Sequence, residues 1–370
     1  MKKRPNSFFK VILVGWVTLL LYGCGNLIPP PAPTPTATPL PSITYEVVTF
    51  NVGLVTAFEF LPDGRLMFAE QNGAVKIMGE QGEHQLIHQF EVSRSGFEDG
   101  LLGMTLDPDF AENQWVYTYR SVPDENEDPQ LGEVAKHRFD GQRFTQTEII
   151  LELPALPEQR HHFGGGLSFG PDGYLYMVLG DLNRVDLARD AASPISSMLR
   201  FGADGSVPAD NPFEDSISYA WGFRNGFGFD WHPETGMLYA GENGDACDDE
   251  LNLIEPGNDY GWGLHAYDTC PYPDDAVQPL LQWTPTIAPS GLTFISSERL
   301  PELRHKLLMC GINFNQIHVI DLSEDGRSVL SDEILEINGR DFFCQGAIAE
   351  GPDGWLYTAM DGQILRVGRY

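Results

Sequence analysis

Residues 160–181 read RHHFGGGLSFGPDGYLYMVLGD. Two histidines and three glycines run into a short alternating segment, then a Pro-Asp-Gly turn, then the aromatic and branched run YLYMVL. Proline presets the first turn position and glycine supplies positive φ, so the centre of the stretch reads as a hairpin between two strands. The same sentence recurs along the chain. FEFLPDGRLMFAEQNGAVKIM starts at Phe58, FDWHPETGMLYAGENG at Phe229, IAEGPDGWLYTAMDGQILRV at Ile348, and a looser copy, MTLDPDFAENQWVYTYR, at Met104. All-β repeats with a period of several tens of residues mean a solenoid or a propeller. The irregular spacing and acidic turns favour blades of four strands. Roughly 330 residues at about 50 per blade gives six. The expected fold is all-β, a six-bladed β-propeller of four-stranded antiparallel blades over residues 44–370, with the last strand QILRVG closing the ring. RHHFGG directly precedes an inner strand, which puts it at the mouth of the central channel, where loops from many blades converge.

Composition narrows the partners. The 370 residues carry 53 Asp+Glu against 23 Lys+Arg, a formal net charge of −30. Phosphate backbones need clustered cations, so nucleic acid is excluded as a partner. An acidic surface suits solubility and hard cations such as calcium.

The N-terminus reads as an address. MKKRPNSFFK is basic, VILVGWVTLLLYG is apolar and short for a bilayer span, and LYGCG ends as a lipobox with Cys24 to be acylated. Residues 1–23 are expected to be a lipoprotein signal peptide. Residues 24–43, rich in Pro and Thr, read as a stiff linker behind the lipidated Cys24. The expected location is extracytoplasmic, lipid-anchored to a bacterial cell membrane. Four cysteines remain, Cys247, Cys270, Cys310 and Cys344. Four allow three pairings, and free buried thiols are the alternative. The expected links are Cys247–Cys270, closing a short loop, and Cys310–Cys344, bridging neighbouring elements.

Four landmarks, in order, carry a resemblance: DGLLGMTLDPDF at Asp99, HHFGGGLSFGPDG at His161, WGFRNGFGFDWHPETG at Trp221, and ENGDACDDELNLIEPGNDYGWG at Glu242. From about Glu46 onward the chain resembles the soluble quinoprotein glucose and aldose sugar dehydrogenases, the glucose/sorbosone dehydrogenase family. The resemblance implies a six-bladed propeller using pyrroloquinoline quinone (PQQ) and calcium. It makes His162 the catalytic base that takes the proton of a sugar's anomeric hydroxyl, a task suited to neutral imidazole with a reference pKa of about 6.5. His161 reads only as its neighbour. The glycines after it are then expected to admit a flat cofactor close to the backbone. Arg224 and Asn225 match a cofactor-contacting pair, the guanidinium steadying charge on the reduced quinone. Gly244 and Asp245 match two backbone carbonyls that hold the cofactor's calcium. Glu250, by its side chain, and Tyr260, by its carbonyl, match a second, structural calcium.

The chain also departs from the family. Glu98 stands where a cofactor-binding Gln is usual, Gly166 and Asn313 where an Arg and a Lys are, and about Phe343 and Gln345 where two late Arg residues fall. A buried trianion loses charge complementarity with each replacement. The resemblance still implies, as the expected function, a PQQ- and calcium-dependent aldose dehydrogenase passing electrons to an external acceptor. The alternative is a calcium-stabilised propeller that binds carbohydrate or protein without redox chemistry. A metal-dependent lactonase on a similar propeller would need carboxylates from several blades at the channel mouth.

Overall fold

The computed structural model describes residues 43–79, 81–154, 161–245, 248–264, 276–338, 340–342 and 344–369. The signal peptide, almost all of the linker, Cys24, Cys247, Cys270 and Phe343 lie outside these residues. Among those described, six four-stranded antiparallel sheets form the six blades. Blade one is Val55–Phe60, Leu66–Glu70, Ala74–Met78 and His84–Gln89. Blade two is Leu101–Leu106, Trp115–Pro123, Pro129–Phe139 and Phe144–Pro154. Blade three is Gly165–Phe169, Leu175–Leu179, Ser197–Phe201 and Ser218–Trp221. Blade four is Phe229–Trp231, Leu238–Glu242, Asp249–Ile254 and Leu281–Trp283, and blade five is Pro289–Phe294, Leu307–Gly311, Gln316–Leu322 and Val329–Ile334. Blade six takes Ile348–Glu350, Leu356–Met360 and Gln363–Gly368 from the end of the chain and Thr44–Phe50 from its beginning. Thr44 pairs with Gly368 and Phe50 with Gln363, so QILRVG does close the ring.

The repeated turns sit where the sequence puts them. In blades one, three and six the Pro-Asp-Gly segment joins the first and second strands, closed by Gly64 N–H to Leu61, Gly173 to Gly170 and Gly354 to Gly351 carbonyls at 2.8–2.9 Å. Blade five has no such motif and joins its first two strands through residues 295–306.

YLYMVL is apolar on both faces for a physical reason. Leu175–Leu179 is buried throughout. Leu175, Met177 and Leu179 pack towards blade two, while Tyr176 and Val178 pack towards blade four. A strand buried on both faces loses the apolar–polar alternation of a half-exposed one. The same division holds round the ring, each hydrophobic cluster filling the space between neighbouring blades. Burying one such Leu or Phe stabilises by about 1.5–3 kcal/mol.

The chain enters each first strand from the channel mouth and returns to it at the end of the second. Two kinds of loop therefore share that face, the blade-to-blade crossovers and the hairpins between second and third strands. The first strands are irregular there. Register slips between Val55 and Ala57, Leu101 and Gly103, Gly165 and Leu167, and Pro289 and Leu292. The residues left over at these bulges, Thr56, Leu102, Gly166, Ser290 and Gly291, line the cavity described below. One expected disulfide is present: Cys310, in the second strand of blade five, bonds Cys344 on the crossover into blade six, with Cα atoms 5.5 Å apart.

Candidate active site

A cavity of about 460 Å³ opens at this face, walled by residues from every blade. Glu98, Arg224, Asn225, Gly244, Asp245 and Asn313 are on its wall, as is Gly166. Gln345 is not among the lining residues; its Oε1 accepts from the Asp361 N–H at 3.1 Å, while the next residue, Gly346, lines the cavity.

His162 lies beside this wall, 8 % exposed, with φ +62°. A left-handed histidine needs support from its surroundings. Glu98 provides it: one carboxylate oxygen accepts the His162 N–H at 2.6 Å and the Asn225 side-chain amide at 2.9 Å. Asn225 in turn accepts the Gly164 N–H at 3.1 Å. Three positions separated by up to 127 residues are thus one polar unit. The His162 ring donates from Nδ1 to Asp181 at 2.7 Å. Asp181 also accepts the Asn183 N–H at 2.7 Å and the Trp262 indole N–H at 2.7 Å. Three donors thus converge on one buried carboxylate, which fixes the orientation of the imidazole through Nδ1.

The glycines also have a cause within the protein itself. Gly164 sits at φ +66°, and a Cβ there would lie 2.2 Å from the Val178 carbonyl oxygen. Gly166 sits at φ +68°, with a Cβ position 2.6 Å from the Phe227 carbonyl oxygen. The close approach that excludes side chains is to the neighbouring polypeptide, within blade three and from blade four.

Glu242 organises the Arg-Asn pair. Its Oε1 accepts both the Arg224 N–H at 2.5 Å and the Asn225 N–H at 2.8 Å. Burial pushes its carboxyl up to about 8. Glu250 faces it across the strand pair and takes the Asn252 amide at 2.9 Å. Burial raises the Glu250 carboxyl well above the usual range, with Glu242, Asp248 and Asp249 adding to the effect. Tyr260 follows on the next loop, its N–H on the Trp221 carbonyl at 2.8 Å and its ring stacked on Phe223 at 4.9 Å. Asp249 accepts the Gly244 N–H at 2.9 Å and the Ala288 N–H at 2.6 Å.

The donor chemistry fits a calcium ion. Two buried carboxyls oppose one another, and Glu242 Oε2 has no hydrogen-bond partner among the described residues. No group of three or more Asp, Glu, His or Cys side chains forms a metal cage among the described residues, so calcium would draw on carbonyl oxygens. Among the described residues, Arg224 is the only basic one on the cavity wall, against Glu98, Asp245 and Asp249. It donates to the Asn243 carbonyl at 3.1 Å, lies 3.6 Å from Asp245, and keeps a buried Nε without a partner among the described residues. A trianionic quinone alone is repelled by such a wall; calcium would offset two of its three charges.

Residues 55–366 match the glucose/sorbosone dehydrogenase family. The chain belongs to that family. The family's name is that of oxidoreductases acting on a CH–OH group of a sugar. An uncharacterised Synechocystis protein is 31 % identical, over 83 % of this chain and 82 % of its own. The aldose sugar dehydrogenase YliI of Escherichia coli is 28 % identical over 88 % and 93 %. The PQQ-bound aldose sugar dehydrogenase of Streptomyces coelicolor superposes with a TM-score of 0.72, at 25 % identity over 90 % and 99 %.

The sequence reading reaches His162 and the Arg-Asn pair but not Asp181, Trp262 or Glu242. Asp181 closes the opening stretch in plain view. Its role depends on Trp262, 81 residues further on.

Proposed function

We propose that this protein is a PQQ- and calcium-dependent aldose dehydrogenase. The observation that carries the reading is the chain Trp262–Asp181–His162 set against the wall that holds Arg224. His162 Nε2 takes the proton of the anomeric hydroxyl as hydride leaves the anomeric carbon, giving a lactone. Asp181 fixes the tautomer and steadies the imidazolium that forms. Glu98 and Asn225 keep His162 in place, and Arg224 faces developing negative charge. Gly244 and Asp245 would offer carbonyls to the cofactor's calcium, and Glu250 and Tyr260 would hold a second ion. Bound PQQ would supply the two-electron sink, emptied by an external acceptor. Cys24 would carry the lipid that tethers the domain outside the cytoplasm, and fractionation of Cys24→Ser away from membranes tests that tether.

One cation against three carboxylates supports a second reading, a calcium-stabilised propeller that binds carbohydrate or protein without redox chemistry. The deciding experiment titrates PQQ with and without calcium, then follows dye reduction on adding a sugar. The dehydrogenase reading expects calcium-dependent quinone binding and sugar-dependent dye reduction, with His162→Ala still binding quinone but inactive. A folded protein that binds no quinone at millimolar calcium belongs to the second reading.

A further inference from the structure

On the face away from the channel mouth, the Pro-Asp-Gly turn of blade three borders a separate cavity of about 240 Å³ between blades three and four. Three aromatic residues line it, Tyr176 and Tyr219 of blade three and Trp231 of blade four. The Tyr219 ring stands at 82° to that of Tyr176 with centroids 5.3 Å apart, and the Trp231 ring at 78° and 5.2 Å. Two rings set nearly square to a third give the corners of an aromatic cage. Tyr219 and Trp231 are only partly buried, so the cage is open to solutes.

The turn holds the rings in place. Tyr176 donates its hydroxyl to Asp172 at 2.9 Å. A Cβ at Gly170 would lie 2.7 Å from Tyr176 Cε2 and 3.1 Å from Trp231 Cζ2, so a side chain there would push both rings aside. Asp172 also takes Arg200 Nε at 2.9 Å. Blade six repeats this part: Asp353 accepts the Tyr357 hydroxyl at 3.0 Å and pairs with Arg366 at 2.7 Å. The Asp-Tyr-Arg set therefore belongs to the turn, and what blade three adds is the pair of flanking rings.

The charges around the cage favour a cation. Among the described residues, no Lys or Arg lines the cavity, whereas Asp172 and Glu255 do. Arg200 serves two carboxylates, Asp172 and Asp210, which leaves that group one negative charge in excess. Glu255 pairs with Arg327 at 2.9 Å, both being well exposed to water. The tyrosines here already attract a cation, since Arg200 Cζ lies 4.2 Å from the Tyr174 ring centroid and 5.8 Å from that of Tyr219. The negative face of an aromatic ring draws such charge, most effectively where the ion gives up little hydration.

We propose that Tyr176, Tyr219 and Trp231 form a binding site for a small quaternary ammonium ion of the choline type, with Asp172 and Glu255 at its acidic edge. A methylated ammonium is weakly hydrated, so the rings replace its water shell at low cost; a bare ammonium is held more strongly by water. The site lies at the opposite end of the blades from His162 and is independent of the redox reading.

Calorimetric titration with choline chloride, tetramethylammonium chloride and neohexyl alcohol, the uncharged analogue in which carbon replaces the choline nitrogen, tests the cage without quinone or sugar. Both cations should bind with a millimolar Kd or tighter, and neohexyl alcohol about tenfold more weakly, the factor given by ~1.4 kcal/mol. Trp231→Leu keeps an apolar wall but removes its π face and should weaken choline about tenfold, whereas Trp231→Phe should keep most of the affinity. Glu255→Gln, at the rim, should cost about two- to threefold. Tyr219→Leu repeats the test on the other wall should Trp231→Leu fail to fold. A folded wild type that shows no saturable choline binding overturns the proposal, as does neohexyl alcohol binding as well as choline, or choline affinity unchanged in the folded leucine variant. Binding of glucose in place of choline also overturns it and makes the cavity a sugar subsite. Capture of phosphatidylcholine vesicles with no affinity for free choline overturns it in favour of a lipid surface.

Discussion

His137 offers a quantitative test of the blade packing, far from the chemistry. It is buried between blades one and two, with Nε2 on Thr118 Oγ1 and Nδ1 on Thr147 Oγ1, both at 2.9 Å. Phe90 and Phe144 lie 4.9 and 5.0 Å away, the latter stacked. Burial lowers its pKa from 6.5 to about 3, with His88 and Arg120 adding repulsion. The folded value lies below the unfolded one. The stabilisation is therefore complete above about pH 6.5 and drains away as pH falls towards 3. Each pH unit in that window costs about 1.4 kcal/mol, so moving from pH 7.5 to 5 removes about 2 kcal/mol. That is a large part of a typical stability of about 5–15 kcal/mol. His137→Phe removes the titration but leaves two threonine hydroxyls without their partner, a cost of about 1–3 kcal/mol each that does not vary with pH. The variant should be weaker than wild type at pH 7.5 yet lose less on acidification. Urea unfolding followed by tryptophan fluorescence at half-unit pH steps gives both curves. Parallel curves between pH 7.5 and 5 would refute the reasoning.

Three further outcomes follow from the site. Asp181→Asn should lower kcat by about 10²–10⁴-fold with quinone affinity little changed, since it disturbs a base and not a binding contact; an equal loss of affinity counts against it. Glu98→Gln keeps an acceptor for His162 and Asn225 while removing one negative charge, so PQQ should bind roughly tenfold tighter in calcium, read by equilibrium titration. Cys310→Ser should cost about 2–4 kcal/mol in denaturant unfolding and bring wild type and variant together in reductant.

The blades are legible in the sequence because the Pro-Asp-Gly turn is chemically specific and is repeated in the same structural place. Blade five escapes the pattern, since residues 295–306 replace its turn. At the site, His162, Arg224 and Asn225 can be reached through motif order. Asp181 and Glu242 cannot, because each acquires its role from partners that only blade pairing brings near. The glycines show a second cause that the sequence hides: crowding by the carbonyls of Val178 and Phe227 also demands Gly164 and Gly166. Gln345 neighbours a wall residue but points elsewhere, a difference of one position that spacing does not resolve.

The junction of Thr44–Phe50 with Gln363–Gly368 gives the chain an unusual timetable. The earliest strand has no partner until Gln363–Gly368 has been made. Five blades can assemble from neighbours in sequence, but the sixth must join ends more than 300 residues apart, and loop closure over such a span slows folding. Until then Thr44–Phe50 is an unpaired strand open to wrong partners. The same junction makes the order of the chain negotiable. Joining the two ends and cutting at an exposed turn such as Gly64 should give a ring with the same site and a different last step in its assembly.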